Sequence, residues 1–133
     1  MNRSKAREVM MQLLYQMEAQ QDFTKEIMDS FLKQQKEIKG QKDYMESLFT
    51  SFTENREKID ETIEKSSSNW KLNRISKVDL ALTRVAVTEM LFMDDIPVSV
   101  SINEAINLAK TFGTQESSRF INGILGHVAQ EIK

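Results

Sequence analysis

The chain has 133 residues, 40% hydrophobic and 29% charged, with one proline, no cysteine and a net charge of −2. That length fits one domain, large enough to bury about two-thirds of the surface its unfolded form exposes. The absence of cysteine excludes disulfide scaffolds, thiolate metal sites and cysteine nucleophiles. No run approaches the roughly 20 apolar residues of a membrane span, and the N-terminus has no apolar leader, so no membrane partner and cytoplasmic residence are expected. The net charge argues against holding nucleic acid by bulk electrostatics, but the charge is unevenly spread. Residues 1–17 carry Arg3, Lys5 and Arg7 against Glu8 alone. Residues 18–64 carry seven basic and twelve acidic side chains, and residues 65–133 carry eight and seven. A basic tip on an acidic body gives local anion binding without general stickiness.

Strand alternation never persists, whereas helical spacing recurs throughout, which predicts an all-α fold. The first helix is expected to start near Ser4, with Val9, Met10, Leu13, Leu14 and Met17 on one stripe. Ile27, Met28, Phe31 and Leu32 mark a second helix ending near Gly40. A third, longer segment carries Tyr44, Met45, Leu48, Phe49 and Phe52 and continues weakly through Ile59 and Ile63. Ser66, Ser67, Ser68 and Asn69 break the pattern, dividing the chain into helical subdomains at 1–68 and 69–133. Trp70 and Leu72 read as an anchor that docks the linker.

Ser76 and Asp79 then resemble a capping box with a shortened acid. The helix they open is apolar nearly all round from Val78 to Phe92, as befits a buried axle, and it stops before Asp94, Asp95 and Pro97. Ser101 and Glu104 form a full S-x-x-E box ahead of a stripe of Ile102, Ala105, Ile106, Ala109 and Phe112. Gly113 is the expected left-handed cap. The last helix, from Glu116 or Ser117, is expected to bury Ile121, Ile124, Leu125, Val128 and Ile132.

A catalytic reading lacks parts. His127 is the only histidine and reads as a surface or rim residue. H-E-x-x-H, G-x-S-x-G and P-loop patterns are missing, and Asp94–Asp95 and Asp60–Glu61 lie in polar runs. Neither an enzyme nor a cofactor is expected. The basic tip is more informative, because cations in a first helical turn oppose the macrodipole. It is either an ordinary solubilising terminus or a phosphate grip in which arginines act with free backbone N–H groups. Phe120 and Asn122 form the second constellation, with Arg119, Lys110 and Phe112 nearby. Phe120 lies at the edge of the buried stripe. It is either extra core or a stacking platform for single-stranded RNA, which is usually read by aromatic stacking and amide hydrogen bonds.

Several segments, in this order, resemble the NusB family of bacterial transcription antitermination factors. They are Arg3-Ser4-Lys5-Ala6-Arg7-Glu8 with Leu13-Leu14-Tyr15; Trp70 through Val78-Asp79 with Arg84-Val85-Ala86; Asp95-Ile96-Pro97-Val98; Ile102-Asn103-Glu104-Ala105 with Leu108-Ala109-Lys110 and Phe112-Gly113; and Phe120-Ile121-Asn122-Gly123-Ile124-Leu125. From about Gln20 to Ser68 only helical character matches.

The resemblance implies two small helical bundles packed into one compact domain. It implies binding to boxA-type single-stranded RNA in nascent ribosomal transcripts, together with the small-subunit ribosomal protein NusE. It further implies loading onto the RNA polymerase elongation complex with other Nus factors and suppression of termination. RNA contacts are then expected from Arg3, Lys5, Arg7, Lys110, Phe112, Arg119, Phe120 and Asn122, and partner contacts from Tyr15 and Asp79. The family often carries a denser N-terminal arginine run, here thinned by Asn2, Ser4 and Ala6, which points to greater dependence on the protein partner. The same fold also begins some ribosomal RNA methyltransferases, but no Gly-rich cofactor loop is found here. A purely protein-binding helical adaptor is the competing reading, and the choice between monomer and homodimer stays open.

Overall fold

In a computed structural model describing residues 1–132, seven α-helices account for the fold. They are α1 (Arg3–Gln20), α2 (Lys25–Lys33), α3 (Lys42–Glu54), α4 (Arg56–Ser66), α5 (Lys77–Phe92), α6 (Val98–Phe112) and α7 (Ser117–Glu131), with a 3₁₀ turn at Leu72–Arg74. No strand occurs among the described residues. The predicted stripe of α1 is buried from Val9 to Met17. Helix α5 packs against α1, α3, α4, α6 and α7, so the axle expected from its apolar character sits at the centre. Because α1, α3 and α4 pack directly on α5, one hydrophobic core runs across the break at Ser66–Asn69.

Several boundaries differ from expectation for local reasons. Helix α2 ends at Lys33 rather than near Gly40. After Leu32 no apolar stripe remains to hold a helix against the core, and the chain turns through positive φ at Glu37 (58°) and Gly40 (89°). The long third segment is two helices. Asn55 interrupts it by donating its side-chain amide to the Ser51 carbonyl at 2.9 Å, competing with the backbone ladder. Ile132, expected in the core, is 39% exposed.

The S-x-x-E pattern at Ser101 and Glu104 is not a capping box. Helix α6 starts at Val98 behind Pro97, which places both residues inside it, and Ser101 is buried. Nor is Gly113 a left-handed cap, its backbone being extended at φ −95°, ψ −170°. A Cβ there would collide with the Ser117 side chain and come within 2.9 Å of the Ala109 carbonyl. The glycine therefore permits the close approach of α7 to the end of α6. Of the box expected at Ser76 and Asp79 only the Ser76 half forms, its Oγ accepting from the Asp79 N–H at 3.1 Å, while the Asp79 Oδ1 has no partner among the described residues.

Candidate nucleic-acid interface

The amino-terminal tip is narrower than its sequence suggests. Asn2 caps α1, its side-chain oxygen accepting from the Lys5 N–H at 2.8 Å, so part of the helix's N–H capacity is already used. Arg3 is exposed, with its guanidinium 4.3 Å from the Tyr44 ring centre and its Nε donating to Gln41 at 2.7 Å. Lys5 is exposed and pairs with Glu8 at 2.7 Å. Arg7, expected to face RNA, is only 4% exposed. Its Nε donates to Glu89 at 2.8 Å and its Nη1 to Glu104 at 3.0 Å. Burial opposes the Arg7 charge, but the hydrogen bond and charge of Glu89, helped by Glu104, outweigh it and hold the guanidinium above its ordinary pKa.

Glu89 is the hub of this arrangement. One carboxylate oxygen accepts from Arg7 and from the Tyr44 hydroxyl, and the other accepts from Ser101 at 2.8 Å. Glu104 also accepts from the Ser4 hydroxyl at 2.5 Å. The tip is thereby tied to α3, α5 and α6 through buried or half-buried groups. Burial, followed by the Glu89 charge, drives the Tyr44 phenol far above its ordinary value, so it remains a donor. A second buried cation, Arg84, donates to Asp60 through Nε and Nη2, both at 2.9 Å, and to Glu18 at 2.7 Å, joining α1, α4 and α5. Sequence reading treated the axle as apolar and missed both hubs. The signal was present, since charged residues within a helix apolar on every side must be paired.

At the α6–α7 corner Lys110 and Arg119 are exposed, while Phe112 and Phe120 are half-buried against the core. Asn122 is exposed. Two residues along a helix are about 200° apart around its axis, so Phe120 and Asn122 leave opposite flanks of α7 and do not form a single pocket. Phe120 turns toward the linker, its ring centre 5.7 Å from that of Trp70 with the planes at 54°. Trp70, expected as an anchor, is 51% exposed.

The two residues assigned to a protein partner lie on the α1–α5 pair. Tyr15 is 41% exposed. Asp79 is 9% exposed, and its Oδ1 is a buried side-chain atom without a hydrogen-bond partner among the described residues. An unsatisfied buried acceptor costs about 1–3 kcal/mol, a penalty that an incoming donor would remove. His127 lies at the rim, its Nδ1 3.0 Å from the Ser66 Oγ and its Nε2 3.6 Å from Glu131. No group of three or more potential metal ligands occurs among the described residues, and no helix is long and apolar enough to cross a membrane.

Comparison with known proteins places this architecture. The family model described as NusB family matches residues 4–130. The transcription antitermination protein NusB of Acetivibrio thermocellus is 47% identical over 130 residues, covering 98% of this chain and 90% of that protein. Among solved structures, NusB of T. maritima superposes with a TM-score of 0.88 at 35% identity, covering 98% of this chain and 92% of that one. A chain from the crystal structure of the antitermination factors NusB and NusE in complex with double-stranded RNA gives 0.85 at 22% identity, with 97% and 96% covered; that likeness concerns the fold alone. On sequence and fold together, the chain belongs to the NusB family.

Proposed function

We propose that this protein is a cytoplasmic, non-enzymatic RNA-binding antitermination factor. It binds boxA-type single-stranded segments of nascent ribosomal transcripts together with NusE, joins other Nus factors on RNA polymerase, and suppresses termination. The observation that carries this reading is its 47% identity, across 98% of the chain, to an antitermination protein. The structure supplies compatible surfaces. Arg3 and Lys5 at the tip and Lys110 and Arg119 at the α6–α7 corner are exposed cations for phosphates. Phe112 and Phe120 offer partly exposed rings, and Asn122 offers an amide on the far flank of α7. Arg7 belongs to this set as the residue that orients the tip, because its guanidinium is consumed by Glu89 and Glu104. Tyr15 and the unpaired Asp79 Oδ1 suit a protein partner that brings a donor.

The test is a titration of boxA-type RNA against the protein, with and without NusE, at moderate salt, with a scrambled RNA as control. Tighter, sequence-dependent binding in the presence of NusE is expected. Binding indifferent to both sequence and partner, and lost at modest salt, would overturn the proposal and favour a helical adaptor.

A further inference from the structure

We infer that Trp70 is a second base-stacking subsite, one that holds an unpaired nucleotide beside the segment engaged at Arg119 and Phe120; this rests on the RNA-binding reading above. Helix α4 and its Ser67 cap are followed by two successive left-handed residues, Ser68 (φ 58°) and Asn69 (φ 65°). The turn is fixed by the Asn69 N–H donating to the Glu64 carbonyl at 2.9 Å and the Trp70 N–H to the Ser67 carbonyl at 3.3 Å. This backbone projects a large aromatic side chain that stays 51% exposed, with one aromatic neighbour, Phe120, tilted against it at a ring-centre distance of 5.7 Å. A ring needed only for the core would be buried, as Phe52 is.

The charge around Trp70 singles it out. One hollow lies between the indole and α7, lined among others by Ser68, Arg119, Phe120 and Gly123. A second lies beyond it, lined by Asn69, Lys71 and Arg74. Neither is lined by a carboxylate, in a chain whose net charge is −2. By contrast, the hollow over α4 sets five carboxylates, those of Glu18, Glu57, Asp60, Glu61 and Glu64, against Arg56, Lys65 and Arg84. Lys71, Arg74 and Arg119 are exposed and form no ion pair or side-chain hydrogen bond among the described residues. Gly123 lines the hollow between the indole and α7. Mid-helix glycine is unfavourable, yet a Cβ there would meet nothing within 4 Å. Packing does not require this glycine, and the same holds for Gly126 on that helix.

A flat apolar face bracketed by three unpaired cations suits a base with a phosphate on either side. Such stacking is tolerant of base identity, so the subsite adds affinity rather than sequence discrimination.

Trp70 is the only tryptophan, so its emission reports on the site directly. The full chain, with NusE, is titrated with fluorescently labelled boxA-type RNA extended by several nucleotides on each side. RNA anisotropy and tryptophan emission are followed together, the emission change being referenced to NusE alone. We expect saturable quenching that tracks binding. We further expect about 5- to 100-fold weaker binding for Trp70→Ala with a melting temperature lowered by no more than about 5 °C, and near-complete rescue by Trp70→Phe. RNA binding that leaves emission and the Trp70→Ala affinity unchanged would overturn the subsite and leave the proposed function standing. Equal quenching by an RNA made abasic outside boxA would overturn stacking in favour of simple phosphate contact. Failure of the parent protein to bind RNA at all would remove the proposed function and the subsite with it.

Discussion

The amino-terminal tip and the Trp70–Phe120 corner carry the same kinds of residue and use them in opposite ways. At the tip, arginine and tyrosine are drawn inward: Arg7 serves Glu89 and Glu104, and Tyr44 donates to Glu89. At the corner, Lys71, Arg74 and Arg119 stand without partners around a half-exposed indole. Charge counted along a chain is therefore a poor measure of charge available to a ligand. In the denser-looking cluster one cation, Arg7, is architecture while Arg3 and Lys5 are exposed but already engaged by Gln41 and Glu8; the scattered cluster is free.

The comparison is tested most severely by removing the inward-facing cation. Arg7→Met leaves Glu89 and Glu104 facing each other without a cation, and urea unfolding is expected to show a loss of about 3–5 kcal/mol. The outward-facing Arg119→Met should change stability by no more than about 0.5 kcal/mol. Equal losses for the two variants would erase the distinction.

Phe120→Ala comes next in size. Its ring is half-buried against the core and Trp70, so a loss of about 1–2 kcal/mol is expected, below the 3–5 of a fully buried phenylalanine, accompanied by weaker RNA binding. A full core-sized loss would assign the ring to packing.

A smaller effect sharpens the contribution of the tip. The double variant Arg3→Gln, Lys5→Gln should reduce the slope of log affinity against log salt by about 0.7 for each phosphate contact removed. Adding Arg7→Gln to that pair should reduce it no further.

The smallest is a pH effect. The Tyr44 phenol is raised above its ordinary value of 10.0 in the folded state, so folding favours its protonated form. The stabilisation this provides is complete below about pH 10 and declines above it, as the unfolded tyrosine ionises. The stability gap between the parent and Tyr44→Phe should be constant from pH 7 to 9 and shrink above 10. A gap that widened there would contradict the assigned direction.

Much of the fold was legible because apolar spacing dictates it: the stripes of α1, α3 and α7 and the central α5 are buried where their periodicity places them. Boundaries were less legible because local competition sets them, as with Asn55 splitting one segment into two helices. The S-x-x-E signal at Ser101 and Glu104 misled for a different reason. Those residue types are there to meet Glu89 on α5 and Arg7 and Ser4 on α1, partners far along the chain that no local pattern encodes. The proposed site was legible as a list of types and not as a surface. Sequence spacing could not reveal that Arg7 is buried or that the linker tryptophan stands outward next to Phe120, whereas the two-residue step from Phe120 to Asn122 already sets those side chains on opposite flanks.

The most direct test of the central claim is amide chemical-shift mapping of the protein as boxA-type RNA is added. The account predicts that saturable shifts gather at Arg3, Lys5, Lys110, Arg119 and Phe120, while Tyr15 and Asp79 move only when NusE follows. Shifts centred on Tyr15 and Asp79 with RNA alone, and none at the tip or the α6–α7 corner, would contradict it.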